Sequence, residues 1–351
     1  MNRTATNVLI ALISTVSCLF VSEFAARRLV PEVDDTFIVK LKSFDEKYHH
    51  GSHTLAVVQP DMTRYRIMFV GDSFTRGMCP AEKSFPYLVE SYFNTQAVPD
   101  VPKQSVQILN LGVPSHSPSV YGAVIRDFAP QFKPNLIVLG VDDSDPQDDY
   151  IYRNMVKLDS DGLPISVYPA LSNVPPQLAR LVRTSKILRL FFAARPQRTD
   201  EEGSDSYLAQ WENRLGHYFP EEEEQQHWKS AFERTLGLMD AIVRYCRQND
   251  IKVVILNYPY PPAVTTRYSR EWRHNLRMDP DKLYTPSFHA REREFAEARN
   301  VPYYDFTDYL RRLDDHQGLY NESDGHFSGE GNEHLARELV RFIYSNVILK
   351  K

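Results

Sequence analysis

Five short runs of the chain are apolar almost without interruption, at residues 66–70, 106–111, 135–141, 252–257 and 301–305. Most are rich in β-branched residues and continuous rather than alternating. That pattern predicts strands buried on both faces of a parallel sheet. Helical stretches follow the first two runs, at 85–92 and 119–128. A longer helix precedes the fourth. Pro220 opens it, Glu221 to Glu224 fill its first turn, and Arg244 and Arg247 close it, an order that complements the helix dipole. Its apolar face is Trp228, Phe232, Leu236, Met239, Val243 and Cys246, at spacings of three and four. A last helix, at about 332–347, aligns Leu335, Leu339, Ile343 and Val347. Strands alternating with helices predict the α/β class, as a doubly wound sandwich.

Two regions depart from this alternation. Residues 150–219 hold an expected helix at about 177–192 and then a polar, acidic connection, and read as an insertion that lines or covers a site. Residues 31–64 are mixed in composition and read as a linker, so the folded domain is expected over 65–351. At the start, no charge appears from Thr4 through Ser22. A helix of that run spans about 28 Å, close to a bilayer core. The following Ser22-Glu23-Phe24-Ala25-Ala26-Arg27-Arg28 is a poor cleavage site. Residues 1–30 are therefore expected to be an uncleaved signal-anchor, with the membrane as a partner. Arg3 lies before the run and Arg27 and Arg28 after it, so flanking charge does not set its orientation.

The chain has 351 residues, 42% of them hydrophobic, enough for one sizeable α/β core with an insertion. A formal net charge of −5 argues against a nucleic-acid partner held through its phosphates. Cys18, Cys79 and Cys246 are too few for a disulfide framework and are expected as thiols.

Candidate chemistry gathers where the strands end, which in such sheets is where ligands bind. The first strand breaks into Gly71-Asp72-Ser73-Phe74-Thr75-Arg76-Gly77. Asn110 to Ser115 straddle the end of the second, and Asp142-Asp143-Ser144-Asp145 follow the third. Just before the last helix stand Ser323-Asp324-Gly325-His326-Phe327. A serine hydroxyl is a weak nucleophile that needs an adjacent base, and the base needs an orienting group. Ser73, His326 and Asp324 supply these three. His116 is a candidate for touching substrate. His49, His50 and His53 lack metal-ligand spacing and read as solvated, and no metal site is expected. Tyr258-Pro259-Tyr260-Pro261-Pro262 reads as a rigid loop, with stacking on a sugar ring as the alternative. A nucleotide-binding reading is weak, because Gly71 to Gly77 lacks the lysine of a phosphate loop.

These blocks resemble the SGNH, or GDSL-type, hydrolase family. Gly71 to Gly77 is similar to the block that holds the nucleophile, and Ser323 to Gly331 to the last block. Asn110 to Ser115 and Asp142 to Asp145 fall where the second and third belong. The resemblance implies a five-stranded parallel sheet in a three-layer α/β/α sandwich, flavodoxin-like, with no cofactor. It implies a serine esterase or acyltransferase acting through an acyl-enzyme on O-acyl, chiefly O-acetyl, esters of a glycan or cell-envelope polymer, on the extracytoplasmic side. Ser73 would attack, His326 act as base and Asp324 orient it. Ser115 and Ser144 stand where the family has a glycine and an asparagine of the oxyanion hole, with Asn110 beside them. A degenerate glycan-binding or scaffold protein on the same fold is the alternative.

Overall fold

The computed structural model describes residues 3–29, 59–153, 156–167, 185–188, 222–267, 274, 278–279, 281–313, 318–321 and 325–349. All five expected strands form: β1 (Tyr65–Gly71), β2 (Val106–Gly112), β3 (Leu136–Asp142), β6 (Lys252–Tyr258) and β7 (Tyr303–Asp305). They pair in parallel in the order β2-β1-β3-β6-β7, the flavodoxin-like order. Every residue of central β3 is buried, as a strand covered on both faces requires.

Alternate side chains of the strands feed two separate cores. One holds Met68, Leu109, Ile137 and Ile255, packed against α4 (Pro118–Phe132), α6 (Glu222–Gln248) and α7 (Ser287–Ala298). The other holds Ile67, Phe69, Val138 and Leu256, packed against α3 (Phe85–Thr95) and α8 (Gly329–Ile343). This is the three-layer sandwich expected. A sheet with side chains buried to both sides is stabilised mainly by that apolar burial, at about 25 cal/mol per Å².

Two features differ from expectation, and two expected segments lie mostly outside the described residues. Residues 150–219 begin with the end of α5 (Asp145–Tyr152) and then an antiparallel hairpin, β4 (Val156–Leu158) with β5 (Pro164–Val167). Gly122 of α4 makes room for Pro164 of that hairpin, since a Cβ there would lie 2.6 Å from the proline ring. The helix expected at 177–192 lies outside the described residues apart from Ser185 to Leu188. Helix α7 was not expected at all. Of the linker, only residues 59–64 are described.

The N-terminal helix α1 (Arg3–Leu29) forms, yet among the described residues no helix is long and apolar enough to cross a membrane. The spanning anchor expected of residues 1–30 is therefore not supported. Thr4, Thr6, Asn7, Ser14, Thr15, Ser17 and Ser22 dilute its apolar content. Its charged end is engaged with protein: Glu23 accepts hydrogen bonds from Lys186 N–H (2.8 Å), Ile187 N–H (3.2 Å) and the Ser185 hydroxyl (2.9 Å).

Candidate active site

Strand order reverses direction between β1 and β3, the place where an open α/β sheet leaves a crevice. Ser73 sits there, at the start of the one-turn helix α2 (Ser73–Arg76). Asp72 caps that turn, its Oδ1 accepting from Phe74 N–H at 2.9 Å. Two glycines permit the geometry. A Cβ at Gly71 would fall 1.8 Å from Thr75 Oγ1, so α2 folds back onto the strand end only because none is present. Gly77 ends the turn at φ +74°, in the region that glycine favours.

His326 arrives from the other end of the chain. It lies in a tight reversal in which Asn321 N–H donates to His326 O (2.8 Å) and Ser328 N–H to Leu319 O (3.0 Å). Ser328 then caps α8, accepting from Glu330 and Gly331 N–H. The buried Phe74 ring stands 4.9 Å from the imidazole and is walled by Tyr258, Tyr260 and Phe327. So supported, His326 Nε2 lies 2.7 Å from Ser73 Oγ. That contact joins residues 253 positions apart in sequence. Asp324, the expected orienting carboxylate, lies outside the described residues.

The remaining expected residues divide. Ser115 is at the third position of a turn closed by His116 N–H donating to Val113 O (3.1 Å). Pro114 fills the second position, and Ser115 takes φ +61°. A proline followed by a positive φ is the type II arrangement, which usually has glycine where Ser115 stands. The serine thus adopts the glycine-like conformation. Ser144 does not offer a donor: its N–H and its hydroxyl both go to Asp142 Oδ1, each at 2.8 Å, at the start of α5. Asn110 is also turned to structure. Its amide donates to Thr75 O (3.1 Å), and its Oδ1 accepts from Gly112 N–H (2.9 Å), tying β2 to α2. Both residues were expected to meet substrate, and both are consumed by the loops they hold.

His116 is buried, and burial pushes its imidazole well below the ordinary value, so it is neutral. Tyr258 and Tyr260 are buried too, with the Tyr258 hydroxyl 2.9 Å from Thr75 Oγ1. The segment is the end of β6 and the start of a helical turn at Pro261–Val264 rather than a loop, and both rings brace the nucleophile turn from inside the core, so neither is exposed to stack on a sugar. His49, His50 and His53 lie outside the described residues. Among the described residues, no group of three or more His, Cys, Asp or Glu is arranged to hold a metal ion.

Sequence reasoning missed the floor of the site. Asp72, Asp142 and Asp145 are all buried beneath Ser73. Asp142 is well supplied with donors: Ser144, Asp145 N–H (3.2 Å) and the Tyr260 hydroxyl (3.1 Å). Asp72 is raised well above the usual carboxylate range, first by burial, then by the charge of Asp142 and the hydrogen bond between the two carboxyls. A carboxyl that keeps its proton can donate it to the carboxyl beside it. The native state thus holds a proton that the unfolded chain releases near pH 4, and stability falls as pH rises above that value. Asp72→Asn keeps the Oδ1 acceptor and replaces the proton by an amide donor. Its thermal midpoint should exceed that of the parent by a margin that grows from pH 5 to pH 8. A margin equal at both pH values would show that Asp72 holds no such proton.

No family profile and no curated protein matches the sequence. Among solved structures, the chain is similar to an acetyl-xylooligosaccharide esterase from Geobacillus, with TM-score 0.44, 10% identity, and 82% of this chain and 96% of that chain covered. An acetyl xylan esterase gives 0.41 and 13%, covering 80% and 99%. A GDSL-like lipase from Bacteroides thetaiotaomicron gives 0.37 and 12%, covering 82% and 92%. These values are low, and the functional reading rests on the geometry of the site itself.

Proposed function

We propose that this chain is a serine esterase or acyltransferase of the SGNH type, and one observation carries the reading: the 2.7 Å contact between Ser73 Oγ and His326 Nε2 at the switch point of the sheet. The Ser73 hydroxyl also lies 3.2 Å from Asp72 Oδ2. With Asp72 holding its own proton, the shorter contact to the imidazole takes the serine proton. Ser73 Oγ attacks the ester carbonyl as its proton passes to His326 Nε2. The tetrahedral oxyanion collapses, the C–O bond to the alcohol breaks, and the alcohol leaves with the proton from His326. Water or a sugar hydroxyl, deprotonated by the same imidazole, then releases the acyl group from Ser73. Asp324, two residues before the base, is assigned to orient the imidazole, and the Ser115 N–H to meet the oxyanion. Short O-acyl groups of a glycan or envelope polymer are the substrate class.

The experiment is covalent labelling. A fluorophosphonate probe should modify the parent at Ser73 and leave Ser73→Ala unmodified. Folded parent that stays unlabelled, with p-nitrophenyl acetate turnover no faster than that of Ser73→Ala, would overturn the reading. Equal binding of a glycan by both proteins would then favour a binding protein. The acidic floor and the consumed Ser144 are the observations on its side.

A further inference from the structure

We infer that Tyr152 is a positioning residue for this reaction: its hydroxyl holds the Pro114-Ser115 turn in the left-handed conformation that presents the Ser115 N–H to the acyl oxygen. The inference deepens the esterase reading and rests on it.

Three observations carry it. First, Ser115 has φ +61° where a type II turn normally has glycine, so the conformation needs outside support. Second, the support is present: the Tyr152 hydroxyl donates to Ser115 O at 2.7 Å, across 37 residues of sequence. Third, that bond belongs to a larger clamp. Asp145, Asp149 and Tyr152 stand at positions i, i+4 and i+7 of the α5 region, on one face. Asp145 accepts from the Tyr121 hydroxyl at 3.1 Å. Buried Asp149 accepts from the Ser117 hydroxyl and from Ser119 N–H, each at 2.7 Å. One face of α5 thereby grips the segment from Ser115 to Tyr121 at three points.

The turn is also placed against the nucleophile. Gly71 pairs with Gly112 in the β1–β2 register, and Val113 N–H donates to Gly71 O at 3.1 Å. Ser115 therefore leaves β2 beside the residue that precedes Asp72 and Ser73. Among the described residues, its N–H gives no backbone hydrogen bond. The family-expected donor at Ser144 is spent on Asp142, which leaves the Ser115 turn with a larger share of the work.

The test is a mutant cycle on the full chain, read by p-nitrophenyl acetate kinetics and by the rate of fluorophosphonate labelling at Ser73. Tyr152→Phe removes only the hydroxyl. It should lower kcat and the labelling rate by about tenfold, because a loosened donor costs part of what a lost one costs. KM should change less than twofold, and the thermal midpoint should stay within one or two degrees (~1–2 °C) of the parent. Glycine needs no clamp at φ +61°. Introduced into Ser115→Gly, the same Tyr152→Phe change should therefore cost less than about twofold in kcat. Amide exchange at His116, whose N–H closes the turn, should quicken in Tyr152→Phe but not in the Ser115→Gly pair. An active parent with a parent-like Tyr152→Phe, an effect on KM alone, or a full tenfold loss persisting in Ser115→Gly would overturn the inference. A parent that neither turns over ester nor labels would overturn the esterase reading, and this inference with it.

Discussion

Replacing either Ser73 or His326 by alanine is expected to lower kcat/KM toward a p-nitrophenyl ester by on the order of 10⁴–10⁶, and replacing both should cost no more than replacing one. The magnitude follows from what each group does. A serine hydroxyl hardly ionises at neutral pH, so without the imidazole 2.7 Å away it does not attack at a useful rate. Without the hydroxyl, the imidazole has no acyl group to transfer. Groups that act as one unit lose their function together, which is why the losses do not add. The fold should tolerate both changes. Ser73→Ala removes only a hydroxyl at the start of α2, and the reversal that carries His326 is held by backbone bonds from Asn321 and Ser328. The measurement is steady-state kinetics on the two single variants and the double variant, with thermal melts as the control for folding. A double variant slower than either single by the product of their losses would mean that the two side chains act separately. The shared-proton geometry would then be irrelevant to turnover.

How legible was this in the sequence? The five strands were, because parallel strands covered on both faces write themselves as continuous β-branched runs. The serine and the histidine were legible as well, since a strand breaking into Gly-Asp-Ser and a histidine just before a capped helix are local signals. Helix α7 was not. Its inward face is Phe288, His289, Glu292, Phe295 and Ala296, and two of those five are ionisable, so its apolar period is broken where it should be clearest. The same cause hid the site's acidic floor. Asp142 and Asp145 are legible in sequence as a polar cluster at a strand end, but not as buried groups, which in the fold they are, held by donors from α5 and from Tyr121 and Tyr260. Ser144 and Asn110 were matched by position to a donor role, but each spends its donors on its own loop. Spacing along a chain says which strand end a side chain is near. It does not say which neighbour claims its hydrogen bonds.

His289→Leu should destabilise the protein by about 3–5 kcal/mol at pH 6, the cost of leaving a buried charge without its partner. His289, on α7, is hydrogen-bonded through Nε2 to Asp143, and both side chains are buried. Its Nδ1 faces Asp305 Oδ2 at 3.9 Å, and Glu292 lies one turn along the same helix. Burial alone would push the imidazole down. The charge of Asp143, its hydrogen bond, and the carboxylates of Asp305 and Glu292 outweigh burial and raise it to about 9. A histidine raised in this way contributes stability that is complete below the ordinary value of about 6.5 and is lost as pH climbs through about 9. Glu292 slopes the same way. Burial raises it to about 7, against the His289 charge and the Asn257 hydrogen bond, so the native state holds its proton longer than the unfolded chain does. The parent should therefore lose stability steadily from about pH 5 to pH 9, in contrast to a protein stabilised by ionised surface carboxylates. In His289→Leu the part of that slope that comes from His289 itself should vanish, so the deficit against the parent should shrink as pH rises toward 9. Adding Asp143→Leu to His289→Leu should recover most of the loss, because the stranded charge is then gone as well. Denaturant titrations at pH 6, 7.5 and 9 decide the matter. A deficit in His289→Leu that is the same at all three pH values would assign the cost to packing, and would show that no charge is held between α7 and the end of β3.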